Sequence, residues 1–315
     1  MYFVLKIFLA TMNDNNTNPS ALSSIGITAE KVRRLQIVAN RRVDDLLAGQ
    51  YKSVFRGRGM EFDEVRQYQP GDDIRDIDWN VTARSGEPFI KRYCEERELT
   101  IMFLVDVSAS GIFGSANKSK LDAMTEIAAV LMFSALKNND KIGMITFADD
   151  VIEYIPPRKG KSYILSMIQK LVTIEPVRRQ TNLSAALEFM TRVLKRRAVA
   201  FLISDLDGDL SQRALMGANR RHDLVALRVN DPREYEIPDV GFITLEDAET
   251  GELIELDARS PKVRALFAQN AKQRDEQIND RLRRSKVDQL KLDTQSDSVD
   301  ELRKFFDMRE RRIRH

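Results

Sequence analysis

The chain has 315 residues, 43% of them apolar and 31% charged, which is enough for one large buried core with a smaller companion and unlike a disordered chain. Fifty Lys and Arg stand against 48 Asp and Glu, so a net charge of +2 gives no general attraction for nucleic acid, and any basic surface must be local. The single cysteine, Cys94, excludes an intramolecular disulfide and multi-cysteine zinc clusters and fits a reducing cytoplasm, while two histidines, His222 and His315, leave little for imidazole chemistry.

Residues 1–24 are expected to form a flexible amino terminus. Tyr2 to Ala10 is apolar apart from Lys6, but it is too short for a membrane span and lacks a clear cleavage site, so no stable membrane insertion is expected. A second methionine, Met12, begins a more ordinary polar stretch. From Thr28 to Leu47 the residues Val32, Leu35, Val38, Ala39, Val43, Leu46 and Leu47 recur at helical spacing and predict an amphipathic opening helix. Residues 51 to 98 are rich in Gly, Arg, Asp and Glu with aromatic punctuation, which predicts short strands and ordered loops. Together, 25–98 read as a small α+β segment.

From residue 99 to 315 strands alternate with helices. Strands are predicted at 101–106, 141–147, 198–204, 223–229 and 287–293, with a short one at 151–155. Helices are predicted at 119–137, 162–173, 183–196, 211–221, 260–285 and 298–312. This order predicts an α/β fold with a mostly parallel sheet covered on both faces. Residues 233–257, with prolines ahead of an alternating stretch and Glu249-Thr250-Gly251, read as an inserted hairpin.

Ile101 to Val105 is the continuous apolar run of a strand buried on both faces, so Asp106-Val107-Ser108-Ala109-Ser110 should emerge at its carboxyl end, where open α/β sheets bind ligands. Thr181, at a helix start, and Asp205, at a strand end, fall at the same sheet edge. Asp106, Ser108, Ser110, Thr181 and Asp205 offer only oxygen, a donor set that selects magnesium, manganese or calcium over zinc or copper. Two carboxylates and three hydroxyls leave coordination positions open for water or for an acidic group of another molecule. The plainer reading makes Asp106, Ser108 and Ser110 a turn and a helix cap, and it would suffice for an isolated Asp-x-Ser-x-Ser. The order and common edge of Thr181 and Asp205 favour a metal site.

This spacing resembles the metal-ion-dependent adhesion site (MIDAS) of von Willebrand factor type A domains, over residues 99 to 315. The resemblance implies inner roles for Ser108, Ser110 and Thr181 and charge-balancing roles for Asp106 and Asp205. Two departures stand out: Thr181 follows Arg179-Gln180 instead of glycines, and Asp205 is followed by Leu206 instead of Gly. The stretch Gly57-Arg58-Gly59-Met60-Glu61-Phe62, then Arg66-x-Tyr68-x-x-Gly71-Asp72-Asp73-x-Arg75-x-Ile77-Asp78-Trp79 and Thr82-Ala83-Arg84, resembles the bacterial "domain of unknown function 58" family. That family joins such a segment to a type A domain and is typically encoded beside a MoxR-type AAA+ ATPase. The resemblance implies a non-catalytic, chaperone-like accessory or adaptor of that ATPase in protein assembly or maturation, cytoplasmic or peripheral at the inner membrane.

Within the amino-terminal segment, mutual ion pairing is expected to account for most of the charges, and Trp79 is expected to be a packing anchor. The competing class is an enzyme. A strand ending in Asp205-Leu206-Asp207-Gly208 is similar to the haloacid-dehalogenase phosphatases, with Asp205 as nucleophile and Asp207 as general acid. That motif usually opens its domain, whereas here several strand-helix units precede it. The basic tail Arg309 to His315 reads as a solvated helix end rather than a nucleic-acid contact.

Overall fold

A computed structural model of the protein describes residues 61–94, 98–114, 118–176, 180–247 and 252–314, the strand Phe3–Lys6, and positions 30, 32, 33, 35 and 36. Those last five positions are helical, and the rest of the helix expected at 28–47 lies outside the described residues, as do Gly57 to Met60. The chain divides into two compact units, residues 55–99 and the remainder. Within the segment expected to be flexible, Phe3–Lys6 is strand β1, and the other residues of 1–24 lie outside the described residues.

The small unit is built on β2 (Glu61–Gln67) paired antiparallel with β3 (Phe89–Cys94), with an irregularity between Phe62 and Glu64. Between them runs the short helix α1 (Trp79–Ser85). Asp78 caps it by accepting from the Asn80 and Val81 backbone N–H groups at 3.0 and 3.2 Å, and Gly86 ends it at φ 79°, a left-handed conformation that glycine adopts without strain. Arg66 bonds Asp72 at 2.7 Å, and Arg75 lies 4.0 Å from Asp73. Trp79 departs from its expected anchoring role. It is the first residue of a two-turn helix that buries none of its side chains, and it stands 67% exposed.

The large unit holds a six-stranded sheet. In chain order its elements are β4 (Thr100–Asp106), α2 (Lys120–Lys137), β5 (Lys141–Phe147), β6 (Val151–Arg158), α3 (Lys161–Thr173), α4 (Leu183–Val193), β7 (Val199–Ser204), α5 (Gln212–Arg221) and β8 (Asp223–Asn230). After β8 come β9 (Phe242–Asp247) and β10 (Leu253–Asp257), and then α6 (Pro261–Arg284), β11 (Asp288–Asp293) and α7 (Ser298–Arg314). The strand order is β11-β8-β7-β4-β5-β6, parallel throughout except for β6, which runs antiparallel to β5. The α/β class and the mostly parallel sheet expected from the alternating pattern are both present. Strands β9 and β10 form an antiparallel pair separate from this sheet, and β1 adds to its β9 edge.

Ile101 to Val105 of β4 are fully buried because helices cover both faces of the sheet. On one face Met102 and Leu104 join Leu183, Ala186, Leu187 and Met190 of α4, Leu215 of α5, and Ile278 and Leu282 of α6. On the other, Phe103 stacks on Phe201 with ring centroids 5.5 Å apart, beside α2, which packs on β4, β5, β7, α3 and α7. Burying such side chains contributes roughly 1.5–3 kcal/mol each, which makes this core the anchor for every loop at its carboxyl edge. No helix among the described residues is long and apolar enough to cross a membrane.

Candidate functional site

Asp106 is the last residue of β4, and Ser204 the last of the neighbouring parallel strand β7, so the two strand ends open side by side. Asp106 Oδ1 accepts from the Ser108 N–H at 2.9 Å, and Oδ2 accepts from the Ser204 hydroxyl at 2.6 Å. The Ser204 oxygen in turn accepts from the Leu206 N–H at 2.9 Å. Ser108 precedes a short 3-10 turn (Ala109–Ile112), but its hydroxyl caps nothing and instead lies 3.0 Å from the Ser110 hydroxyl. The plainer turn reading therefore accounts for the Asp106 bond to the Ser108 N–H and leaves the two hydroxyls unexplained.

Thr181 arrives by a different route. Asn182 donates its N–H to the Ala148 carbonyl at 2.7 Å and caps α4 through its own side chain, so the Thr181 hydroxyl has no capping task. The Asp209 N–H donates to the Thr181 carbonyl at 2.9 Å, which ties Thr181 to the loop after Asp205. Gly208 makes this approach feasible. A Cβ there would lie 2.4 Å from the Thr181 carbonyl oxygen, and its φ of 153° belongs to glycine. The Thr181 hydroxyl oxygen is buried and bonds to nothing, the other four residues included. Leu206, where the resemblance has glycine, adopts a left-handed φ of 61° and is 1% exposed, its side chain lying in the core.

Three residues that sequence reasoning missed complete the cluster. Lys120, the first residue of α2, is 1% exposed and donates to Asp205 Oδ2 at 2.7 Å and to Glu234. Ser204 links Asp106 to the Leu206 backbone, as described above. The Arg228 guanidinium supports the Asp205 carbonyl at 3.1 Å and pairs with Asp275.

Electrostatics divide the two aspartates. Burial, and then the neighbouring Asp205 charge, push the Asp106 carboxyl up to about 6. Burial would also raise Asp205, but the Lys120 ammonium and hydrogen bonds from Lys120, the Asp207 N–H and Ser110 outweigh it and hold Asp205 below the usual carboxylate range. Lys120 pays the same desolvation, which Asp205 and Glu234 overcome, leaving its ammonium firmly protonated. Asp207 is pushed up to about 6 by burial and by Asp205, with Arg274 at 3.4 Å opposing the rise. With Asp207 paired to Arg274, the buried Asp106 and Asp205 and the partly buried Glu234 set three carboxylates against the one Lys120 ammonium, a net of two negative charges beside the unpartnered Thr181 hydroxyl.

Among the described residues no group of three or more His, Cys, Asp or Glu side chains is placed to share a metal. A cation here would therefore be held largely by the hydroxyls of Ser108, Ser110 and Thr181, with Asp106 and Asp205 supplying charge. The orphaned Thr181 oxygen, the adjacent serine hydroxyls and the excess negative charge fit a hard cation of that kind.

A family model described as "Protein of unknown function DUF58" matches residues 64–277. The chain belongs to the DUF58 family. This DUF58 chain is 34% identical over 246 residues to an uncharacterised protein of Mycobacterium tuberculosis, covering 77% of each. It is 25% identical over 107 residues to the uncharacterised protein YeaD of Bacillus subtilis, covering 34% of this chain and 25% of that one. Among solved structures it is similar to the conserved hypothetical protein BatB of Bacteroides thetaiotaomicron. The identity is 18% and the TM-score 0.45, over 68% of this chain and 99% of that one, a likeness too distant to argue from. The family match begins in β2 of the DUF58 chain and ends within α6, so it takes in Asp106, Ser108, Ser110, Thr181 and Asp205.

Proposed function

We propose that the large unit is a von Willebrand factor type A domain whose carboxyl edge holds a divalent hard cation, magnesium or manganese first and calcium next, as a docking point for another protein. The observation that carries this reading is the buried, unpartnered Thr181 hydroxyl set against the aspartate and serine cluster, because a buried hydroxyl without a partner costs about 1–3 kcal/mol unless something absent from the protein's own side chains satisfies it. The strand order and the all-oxygen donor set support it as well.

When bound, the cation supplies a Lewis-acidic position for an oxygen ligand. Ser108, Ser110 and Thr181 would hold it, while Asp106 and Asp205 balance its charge and Ser204 keeps the Asp106 carboxylate in place. An open position on such a cation favours a carboxylate, so the partner surface should present Asp or Glu. The proposed role is that of a non-catalytic accessory or adaptor to a MoxR-type AAA+ ATPase in protein assembly or maturation; this partner comes from the family resemblance alone. No nucleic acid is invoked. The test is binding of that ATPase, and its ATP turnover, with wild type and Ser108→Ala/Ser110→Ala, with and without chelator. Weaker binding by the variant, and by wild type in chelator, is expected. Equal affinity in all arms shows that the contact lies elsewhere.

The alternative, a haloacid-dehalogenase-like phosphatase using Asp205 and Asp207, gains little from the geometry. Asp205 is 2% exposed and ion-paired with the buried Lys120, a setting that shields its carboxylate from a phosphate ester in solvent.

A further inference from the structure

A lysine at the first position of a helix is badly placed, since the helix dipole there favours anions, and burying its ammonium adds a desolvation cost. Lys120 accepts both conditions at 1% exposure. Its compensation comes from residues far away in sequence, Asp205 at the end of β7 and Glu234 in the 3-10 turn Pro232–Glu234 after β8. Glu234 is itself fixed, its other oxygen accepting from the Asp231 N–H at 3.0 Å and from the Asn230 side chain at 3.2 Å. The remaining charged groups nearby are committed: Arg228 to Asp275 and to the Asp205 carbonyl, and Arg274 to Asp207. Lys120 is thus the cation that the fold assigns directly to the Asp205 carboxylate.

We infer that Lys120 is a built-in counter-cation which competes with the divalent ion for Asp205 and so sets how weakly the site binds metal. The inference depends on the cation site proposed above. With Lys120 in place, Asp106, Asp205 and Glu234 carry two net negative charges, which one divalent ion neutralises; without it they carry three, and Asp205 is released to the ion. The protein then holds its metal reversibly, and the empty state keeps a neutralising partner for Asp205. Metal entry should draw Asp205 away from Lys120 and leave the ammonium more dependent on Glu234.

The test compares full-length wild type with Lys120→Met, a substitution of similar length without charge, by calorimetric titration with magnesium and by the free-ion signal of manganese in electron paramagnetic resonance. Lys120→Met should bind about tenfold tighter or more, the scale on which one nearby buried charge perturbs another ionic equilibrium. Its melting temperature should also rise further with metal than that of wild type, because metal-free Asp205 and Glu234 lack their partner. If wild type binds metal and Lys120→Met binds no tighter, the role of Lys120 falls while the cation site stands. If neither protein binds, the cation site falls and this inference with it. Should Lys120→Met fail to fold, the Lys120 ammonium resonance in nitrogen-15-labelled wild type decides the matter. Saturating magnesium should move that signal and speed its hydrogen exchange, and an unmoved signal overturns the inference.

Discussion

Replacing Thr181 by Val separates the two roles a buried hydroxyl can have. Valine keeps the branched shape and the restricted χ1 of threonine, so the change is essentially a methyl for a hydroxyl at a position 3% exposed. In the metal-free protein that hydroxyl has no partner, and an unsatisfied buried polar group costs about 1–3 kcal/mol. Thr181→Val should therefore be more stable than wild type in chelator, by about 1 kcal/mol, or roughly 2 °C in melting temperature for a domain of this size. Magnesium at about ten times its dissociation constant should stabilise wild type by about 1.4 kcal/mol and the variant hardly at all. The order of stabilities then reverses between the two buffers. Urea melts of both proteins in chelator and in magnesium measure all four values. A variant less stable than wild type in chelator means that the hydroxyl is already bonded, and equal magnesium shifts mean that Thr181 does not touch the cation. Either result removes the main support for the site.

Other substitutions probe neighbouring features. His222 is 1% exposed, with Nδ1 accepting from the Ala198 N–H at 3.3 Å, and burial followed by the Arg221 and Arg197 charges pushes it down to about 4. Because the unfolded chain takes up that proton near pH 6.5 and the folded one does not, stability should be lost as pH falls from 6.5 to about 4, by up to about 3 kcal/mol, and the difference between wild type and His222→Gln in urea melts should be constant above pH 7.5 and move against wild type below it; a difference constant from about pH 4 to 7.5 refutes it. Gly208→Ala sets a Cβ 2.4 Å from the Thr181 carbonyl oxygen at a φ of 153°, so a loss of about 2–3 kcal/mol in urea melts, together with loss of the magnesium response, is expected; a variant as stable as wild type means that the loop relaxes freely. Asp207→Asn should keep the magnesium shift in full, and phosphatase activity on an aryl phosphate that is present in wild type and lost in this variant restores the enzyme reading.

The strands and helices of the large unit were legible because their signals are local and redundant. Ile101 to Val105 can be little else than a doubly buried strand, and Ser119 ahead of the Lys120 to Lys137 run marks a helix start by itself. That the loops carrying Asp106, Thr181 and Asp205 share one sheet edge was legible because the strand-helix order dictates it, whereas their joint hold on a cation remains the proposal. What escaped were partners chosen by tertiary geometry. Lys120 meets Asp205 across 85 positions and Glu234 across 114, and Ser204 meets Asp106 across 98. Nothing in the neighbourhood of Lys120 distinguishes it from a solvated helix cation. Leu206 misled in the opposite direction, since its residue type argues against a left-handed backbone that its buried side chain makes worthwhile. Trp79 misled through its hydrophobicity, since it stands 67% exposed at the first position of a helix with no buried residue.

Strand β6 carries a consequence for how this protein can meet others. It is the outermost strand of the six, and it contains Pro156 and Pro157 in succession and departs twice from regular pairing with β5. Two adjacent residues without an N–H, on a ladder already irregular, make a poor template for an incoming strand. That edge of the six-stranded sheet is thereby guarded against edge-to-edge stacking in a crowded cell, where a bare flat edge would seed aggregation. Recognition through strand addition at β6 is disfavoured for the same reason, and a partner that approaches this side of the sheet must be read by side chains.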